Sequence, residues 1–179
     1  MDHYYHLSLQ FYNKLSDLYG EKQALWKEYV VFNWHWWLGI ALVLIPIIIW
    51  IKIRDRKNTY KLLISGAFAS LVAIYLDSTG HFYHWFDYQY DVFPAASNYL
   101  PWDFVLIPVS IMLFIQYQPQ ANPFLKGFIY SALLAFLGLP LLTYLDLYSI
   151  YNWNYIYSFI ILYIIFLMAN WIYKKDLTH

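Results

Sequence analysis

The chain has 179 residues, of which 61% are hydrophobic and only 12% charged, and its acids and bases balance to a formal net charge of zero. A soluble domain carries roughly 25% charged residues, so a bilayer explains this composition better than an enlarged core does. The absence of cysteine excludes disulfides, thiolate metal sites and cysteine nucleophiles, and no basic cluster is interleaved with polar surface as nucleic-acid binding requires.

Residues 1–28 lack the apolar run of a secretory signal. Leu7, Phe11, Leu15 and Leu18 recur at the period of an amphipathic helix, which predicts an interfacial segment lying on the membrane, with Gly20 as its break. A contact with a membrane protein partner through residues 1–28 is the alternative use of that face. The first span is predicted over 29–51, with Pro46 inside it and His35 as its one titratable group besides Tyr. Its length suffices to cross a core of roughly 30 Å at about 1.5 Å per residue. The basic stretch KIRDRKNTYK follows.

Further spans are predicted over 62–84, 101–117, 127–145 and 154–173, the last followed by Lys174 and Lys175. The expected fold is therefore an all-α integral membrane protein, a five-helix transmembrane bundle over 29–179 with an N-terminal amphipathic helix. The 52–61 loop, Lys126 and the Lys174-Lys175 tail share one side of that bundle. The positive-inside rule makes this side cytoplasmic, with the N-terminus outside and the C-terminus inside. Counted this way, the outer half carries formally −6 and the inner half +6. A weak internal echo, AIYLD ending at Asp77 and LTYLD ending at Asp146, suggests two parallel hairpins related about an axis along the membrane normal.

Chemistry concentrates between Leu76 and Asp103. Counted along the helices from their cytoplasmic ends, Asp77 and Asp103 both rise about 21 to 24 Å, into the outer third of the bilayer. On the span predicted over 62–84, Asp77, His81 and His84 stand at i, i+4 and i+7 and fall on one face, and His35 reaches the same level from the first span. No Lys or Arg occurs between Leu62 and Leu125 or between Gly127 and Tyr173. An intramembrane carboxylate costs about 2.5 to 3.5 kcal/mol on insertion scales, so these acids must pair, protonate, or bind water or a cation. Imidazole and carboxylate suit a divalent metal, which makes Asp77, His81 and His84 a candidate metal half-site.

The same residues have plainer uses. Asp103 follows Pro101 as helix starts commonly arrange, Asp146 suits a solvated loop, and His81 and His84 suit an interface. The 9 Trp, 20 Tyr and 13 Phe fit interfacial belts, and the outer cluster containing Trp102 fits an aromatic vestibule. No G-x-S-x-G, P-loop, H-E-x-x-H or GxGxxG motif is present.

The stretch from Tyr75 to Tyr117, with an acid late in one span, WFDYQYDVFP, and then LPWDFVLIPVSIMLFIQY, resembles an uncharacterised family of small multipass membrane proteins of spore-forming Gram-positive bacteria. The matching positions are Asp77, Trp102, Asp103, Pro108, Gln116 and Tyr117. The resemblance implies a bacterial cytoplasmic membrane protein and brings no activity. The functional expectation is a protein that binds or transports a cation, lipid headgroup or other small ligand in an outer-leaflet pocket. Spans one to four would form that pocket, with Asp77, Asp103, His81, His84, His35 and Trp102 as its candidate residues. A metal-assisted or acid/base hydrolase acting on lipid, and a structural or regulatory subunit, are the alternatives. Membrane lipids are the expected partners, and nucleic acid is not.

Overall fold

Asparagine side chains fix where three of the apolar helices begin. In the computed structural model, which describes residues 2–94 and 98–175, the side-chain oxygens of Asn33, Asn122 and Asn154 accept from the backbone N–H of Trp36, Phe124 and Ile156, each at 2.9 Å. Such a cap satisfies one of the donors that a helix N-terminus leaves open. The helices are α1 (Asp2–Leu25), α2 (Trp34–Ile53), α3 (Thr59–Phe82), α4 (Pro101–Gln116), α5 (Pro123–Tyr144) and α6 (Tyr155–Lys174). Asp176, counted with the basic end, lies outside the described residues.

Four of the five expected spans, α2, α3, α5 and α6, are long and apolar enough to cross a membrane. The stretch predicted over 101–117 forms a shorter helix, about 24 Å at 1.5 Å per residue. Its position explains how it is accommodated. Ile107, Ile111, Met112 and Ile115 are all buried, and α4 packs against α2, α3 and α6, so its backbone faces protein. The α2 helix is peripheral, with most of its apolar surface outward, and it packs on the first turns of α4.

The predicted bounds of the first span need correction. The chain widens into a π-helical turn over Trp26–Val30 and reverses through Phe32, whose φ is 65°, before Asn33 caps α2. Gly20 is no break either: α1 runs through it in continuous helix. Tyr4, Leu7, Phe11, Tyr12 and Leu18 on α1 are exposed. Near its end Lys22 meets Asp91 at 2.8 Å, and just beyond it the Trp26 indole donates to the Asp91 carbonyl at 2.7 Å.

Two further π-helical turns lie in the bundle, at Pro101–Leu106 in α4 and Leu134–Gly138 in α5. Each holds the residue four positions before a proline, Phe104 before Pro108 and Phe136 before Pro140. A proline ring clashes with that carbonyl in a regular α-helix and contributes no N–H, and the wider turn relieves both problems.

The all-α expectation misses a small antiparallel ribbon, β1 (Phe86–Tyr88) paired with β2 (Tyr148–Ile150). It joins the chain that leaves α3 to the chain that leaves α5. The two exits are alike. Trp85 N–H donates to the Gly80 carbonyl and Leu147 N–H to the Leu142 carbonyl, each at 2.9 Å, and His84 and Asp146 both adopt positive φ, 53° and 57°. This is the left-handed helix stop that lets a chain turn back across its last carbonyls. At these exits Asp146 corresponds to His84, and not to Asp77 as the AIYLD and LTYLD segments suggest.

At the opposite end of the bundle, the Gln116 side chain accepts from Asp55 N–H at 3.0 Å and donates to the Ile53 carbonyl at 3.1 Å. This fastens the basic loop between α2 and α3 to the end of α4.

Candidate functional site

Beneath the ribbon lies a cavity of about 180 Å³. The α3 helix contributes Ala73, Leu76, Asp77 and Thr79, α4 contributes Trp102 and Ile107, and the apolar face of α6 forms the far wall with Leu162 and Ile165. Phe86, Tyr88 and Tyr148 close it from the ribbon, and Trp85 and Trp153, stacked with ring centroids 5.0 Å apart, close it from the flanking loops. Gly80 permits this closure. A Cβ there would fall inside the van der Waals surface of the Phe86 ring, so the ribbon seats directly on the backbone of α3.

Asp77 is the acid lining the cavity, and the Tyr88 hydroxyl donates to its Oδ2 at 2.5 Å. Burial, reinforced by the negative fields of Asp77 and Asp103, holds that phenol far above its usual range, so it stays a donor. Tyr88 is itself braced by stacking on Tyr99, centroids 5.0 Å apart and 13° from parallel.

Asp103 stands behind Asp77 in the π-helical turn of α4. It is fully buried, and among the described residues no N–H or hydroxyl donor in hydrogen-bond geometry reaches either of its carboxylate oxygens. The side chains that approach it are those of Asp77 and Asn98. Asn98 is held in place by donating to the Ile74 carbonyl at 2.9 Å and accepting from Ser78 at 3.2 Å. Ser70 fixes the turn by donating to the Asp103 backbone carbonyl at 2.8 Å. Two acids placed side by side away from water oppose each other's charge, and a shared proton or a bound cation relieves that opposition.

The expected partners of Asp77 lie elsewhere. The α3 helix ends at Phe82 and the chain turns sharply at His84, so the helical spacing that would align Asp77, His81 and His84 does not persist. His81 instead meets Asp87 through its Nδ1, and His84 Nδ1 lies 3.3 Å from the other oxygen of Asp87. Asp77, His81 and His84 form no metal half-site, and among the described residues no group of three or more His, Asp or Glu side chains is placed to hold a metal ion.

His35 is separate again. It is buried between the rings of Trp34 and Tyr90, each 3.6 Å away by centroid, and neither ring nitrogen has a hydrogen-bond partner among the described residues. The expected pocket within spans one to four is thus corrected to a cavity within α3, α4, α5 and α6 that α2 does not line. Asp77 and Trp102 line it, Asp103 backs it, and His35, His81 and His84 do not contribute.

Trp85 and Trp153 belong to the outer tryptophan cluster that the sequence suggests as an aromatic vestibule, whereas Tyr88 and Tyr148 were not singled out. The available signal was alternation: Phe86, Tyr88 and Tyr90 alternate with Asp87 and Gln89, the period of a strand. No family model, curated protein or solved structure matches the chain.

Proposed function

We propose that this is a multipass membrane protein that binds, or carries across the membrane, a cation or a small ligand with a cationic or hydrogen-bond-donating group, received by Asp77. The observation that carries the reading is the Asp77 and Asp103 pair. One acid lines a cavity and the other is fully buried behind it without a donor among the described residues, in helices that bring no Lys or Arg to that depth. Folding tolerates such an arrangement only with compensation, and a ligand or proton supplies it.

In this reading α4 also crosses the membrane, protected by its neighbours, which makes five spans in all. The basic end faces the cytoplasm and the ribbon end faces outward, as the positive-inside rule requires. The likeness of Tyr75 to Tyr117 to the family of small multipass proteins of spore-forming bacteria supports a bacterial cytoplasmic membrane.

The test is a thermal-shift comparison of the purified wild type and an Asp77→Asn, Asp103→Asn double variant, against sodium, calcium and phosphatidylethanolamine. The wild type is expected to be stabilised by at least one of these probes and the double variant by none. Equal responses in both proteins overturn the proposal.

A second reading rests on α1, whose apolar positions stand exposed beyond the bundle. In it the chain is a subunit that docks a membrane protein through residues 1–28, and deletion of residues 1–20 should abolish co-purification of that protein while leaving the bundle folded.

A further inference from the structure

We propose that the group received in the cavity is a small organic ammonium, held by Asp77 and by the faces of the surrounding aromatic rings. The inference rests on the cation-binding reading above and specifies what kind of cation it is.

A bare metal ion asks for oxygen or nitrogen ligands around most of its surface, six to eight oxygens for calcium and six for magnesium. The cavity cannot present such a shell. Its polar lining side chains are few: the Asp77 carboxylate, the Tyr88 and Tyr148 phenols, the indole N–H groups of its tryptophans, and the hydroxyls of Thr79 and Ser158. Several of these are committed. Thr79 donates to the Tyr75 carbonyl at 2.8 Å, Ser158 accepts from the Trp153 indole at 2.8 Å, and Tyr88 donates to Asp77 itself.

The remaining lining is aromatic and aliphatic, including Trp85, Phe86, Tyr88, Trp102, Tyr148 and Trp153. Ring faces carry partial negative charge and attract a cation whose own surface is apolar, as an alkylated nitrogen's is. One carboxylate at the end of an aromatic chamber therefore matches one positive charge spread over methyl or methylene groups. Asp103 stands behind Asp77 without occupying space in the cavity.

Size narrows the class further. The cavity, about 180 Å³, is slightly larger than the ~150 Å³ void that takes up benzene and smaller than the roughly 300 Å³ where drug-sized pockets begin. It admits a head group of a few heavy atoms and not a whole lipid. Ile107, Leu162 and Ile165 in the lining suit a short apolar substituent. The ammonium can come from a free molecule or from the head of a lipid whose chains remain outside.

The experiment follows the tryptophan fluorescence of the full chain in phosphatidylglycerol nanodiscs, because three indoles line the cavity. Choline is titrated against its uncharged isostere 3,3-dimethyl-1-butanol, and against sodium, potassium and calcium chlorides. Saturable quenching by choline is expected, with the isostere about tenfold weaker and that preference lost in Asp77→Asn. The comparison of charged and neutral probes on the wild type needs no variant, so it stands even if Asp77→Asn does not fold.

An isostere that binds as tightly as choline, or a preference that survives in Asp77→Asn, overturns the inference. Saturation by an inorganic cation without any by choline overturns it too, while leaving the cation-binding reading intact. No response to any probe removes both. Repeating the titration in nanodiscs containing phosphatidylethanolamine identifies the source: supported binding that weakens there comes from a competing lipid head, and supported binding that is unchanged belongs to a free ammonium.

Discussion

His84 and Asp146 occupy the same place in two different helices. Each follows the last turn of a helix, each has positive φ, and each leads within two residues into one strand of the ribbon. The pairing Phe86 with Ile150, Asp87 with Ser149 and Tyr88 with Tyr148 is symmetric about the central pair. The two helix exits are thus related by an approximate two-fold axis through Asp87 and Ser149. The amino acids at the shared position differ because a left-handed stop constrains the backbone more than the side chain. Histidine and aspartate tolerate positive φ better than branched residues do.

Asp146→Gly should therefore be neutral or slightly stabilising, whereas Asp146→Val should lower stability by about 1 to 3 kcal/mol through backbone strain. Thermal unfolding in detergent measures both. Equal melting temperatures for the Gly and Val variants would show that the turn relaxes and that the stop is not required.

Tyr88→Phe removes the donor to Asp77 and leaves a buried acceptor unpaired, at a cost of about 1 to 3 kcal/mol. Adding Asp77→Leu should restore part of the loss, because the acceptor is then gone as well. Strict additivity of the two changes in denaturation experiments would contradict a direct Tyr88 to Asp77 bond.

Gly80→Ala places a methyl group against the Phe86 ring and should destabilise by about 1 to 3 kcal/mol, the usual range for overpacking. Phe86→Leu in the same chain should recover stability. If Gly80→Ala melts like the wild type, the ribbon does not seat on α3 as described.

Two acids outside the helices give opposite pH slopes. Burial pushes the Asp91 carboxyl above its usual range despite the neighbouring Lys22 ammonium, so its contribution to stability falls as pH rises from 3.8 through the folded-state value. Hydrogen bonds from the Asn58 side chain and then the Lys57 N–H hold Asp55 below its usual range. Its contribution is present above pH 3.8 and is lost as pH falls through the folded-state value. Melting curves across this range should lose the upper slope in Asp91→Asn and the lower one in Asp55→Asn, and an unchanged upper slope in Asp91→Asn would exclude the first assignment.

Apolar length and charge placement made the helices legible, and Asp77 and Asp103 stood out because no base in the neighbouring spans could pair with them. The histidines were misread for a physical reason. His84 lies past Phe82, where α3 has ended and the chain turns, and His81, still one helical turn from Asp77, pairs instead with Asp87 of the ribbon. Asn33, an N-cap signal in the sequence, would have moved the first span to its true start. The ribbon was hidden because each strand is three residues long and its aromatic residues read equally well as an interfacial belt. The place of Tyr88 beneath it depends on a pairing between segments 60 residues apart, as Gln89 and Ser149 show in their side-chain bond of 3.1 Å.

The ribbon also has a mechanical consequence. It clasps the exits of α3 and α5 at one end of the bundle, directly over the cavity. Any rearrangement that keeps its three residue pairs leaves those exits joined, so a ligand entering from the ribbon end must pass around the clasp or part its strands.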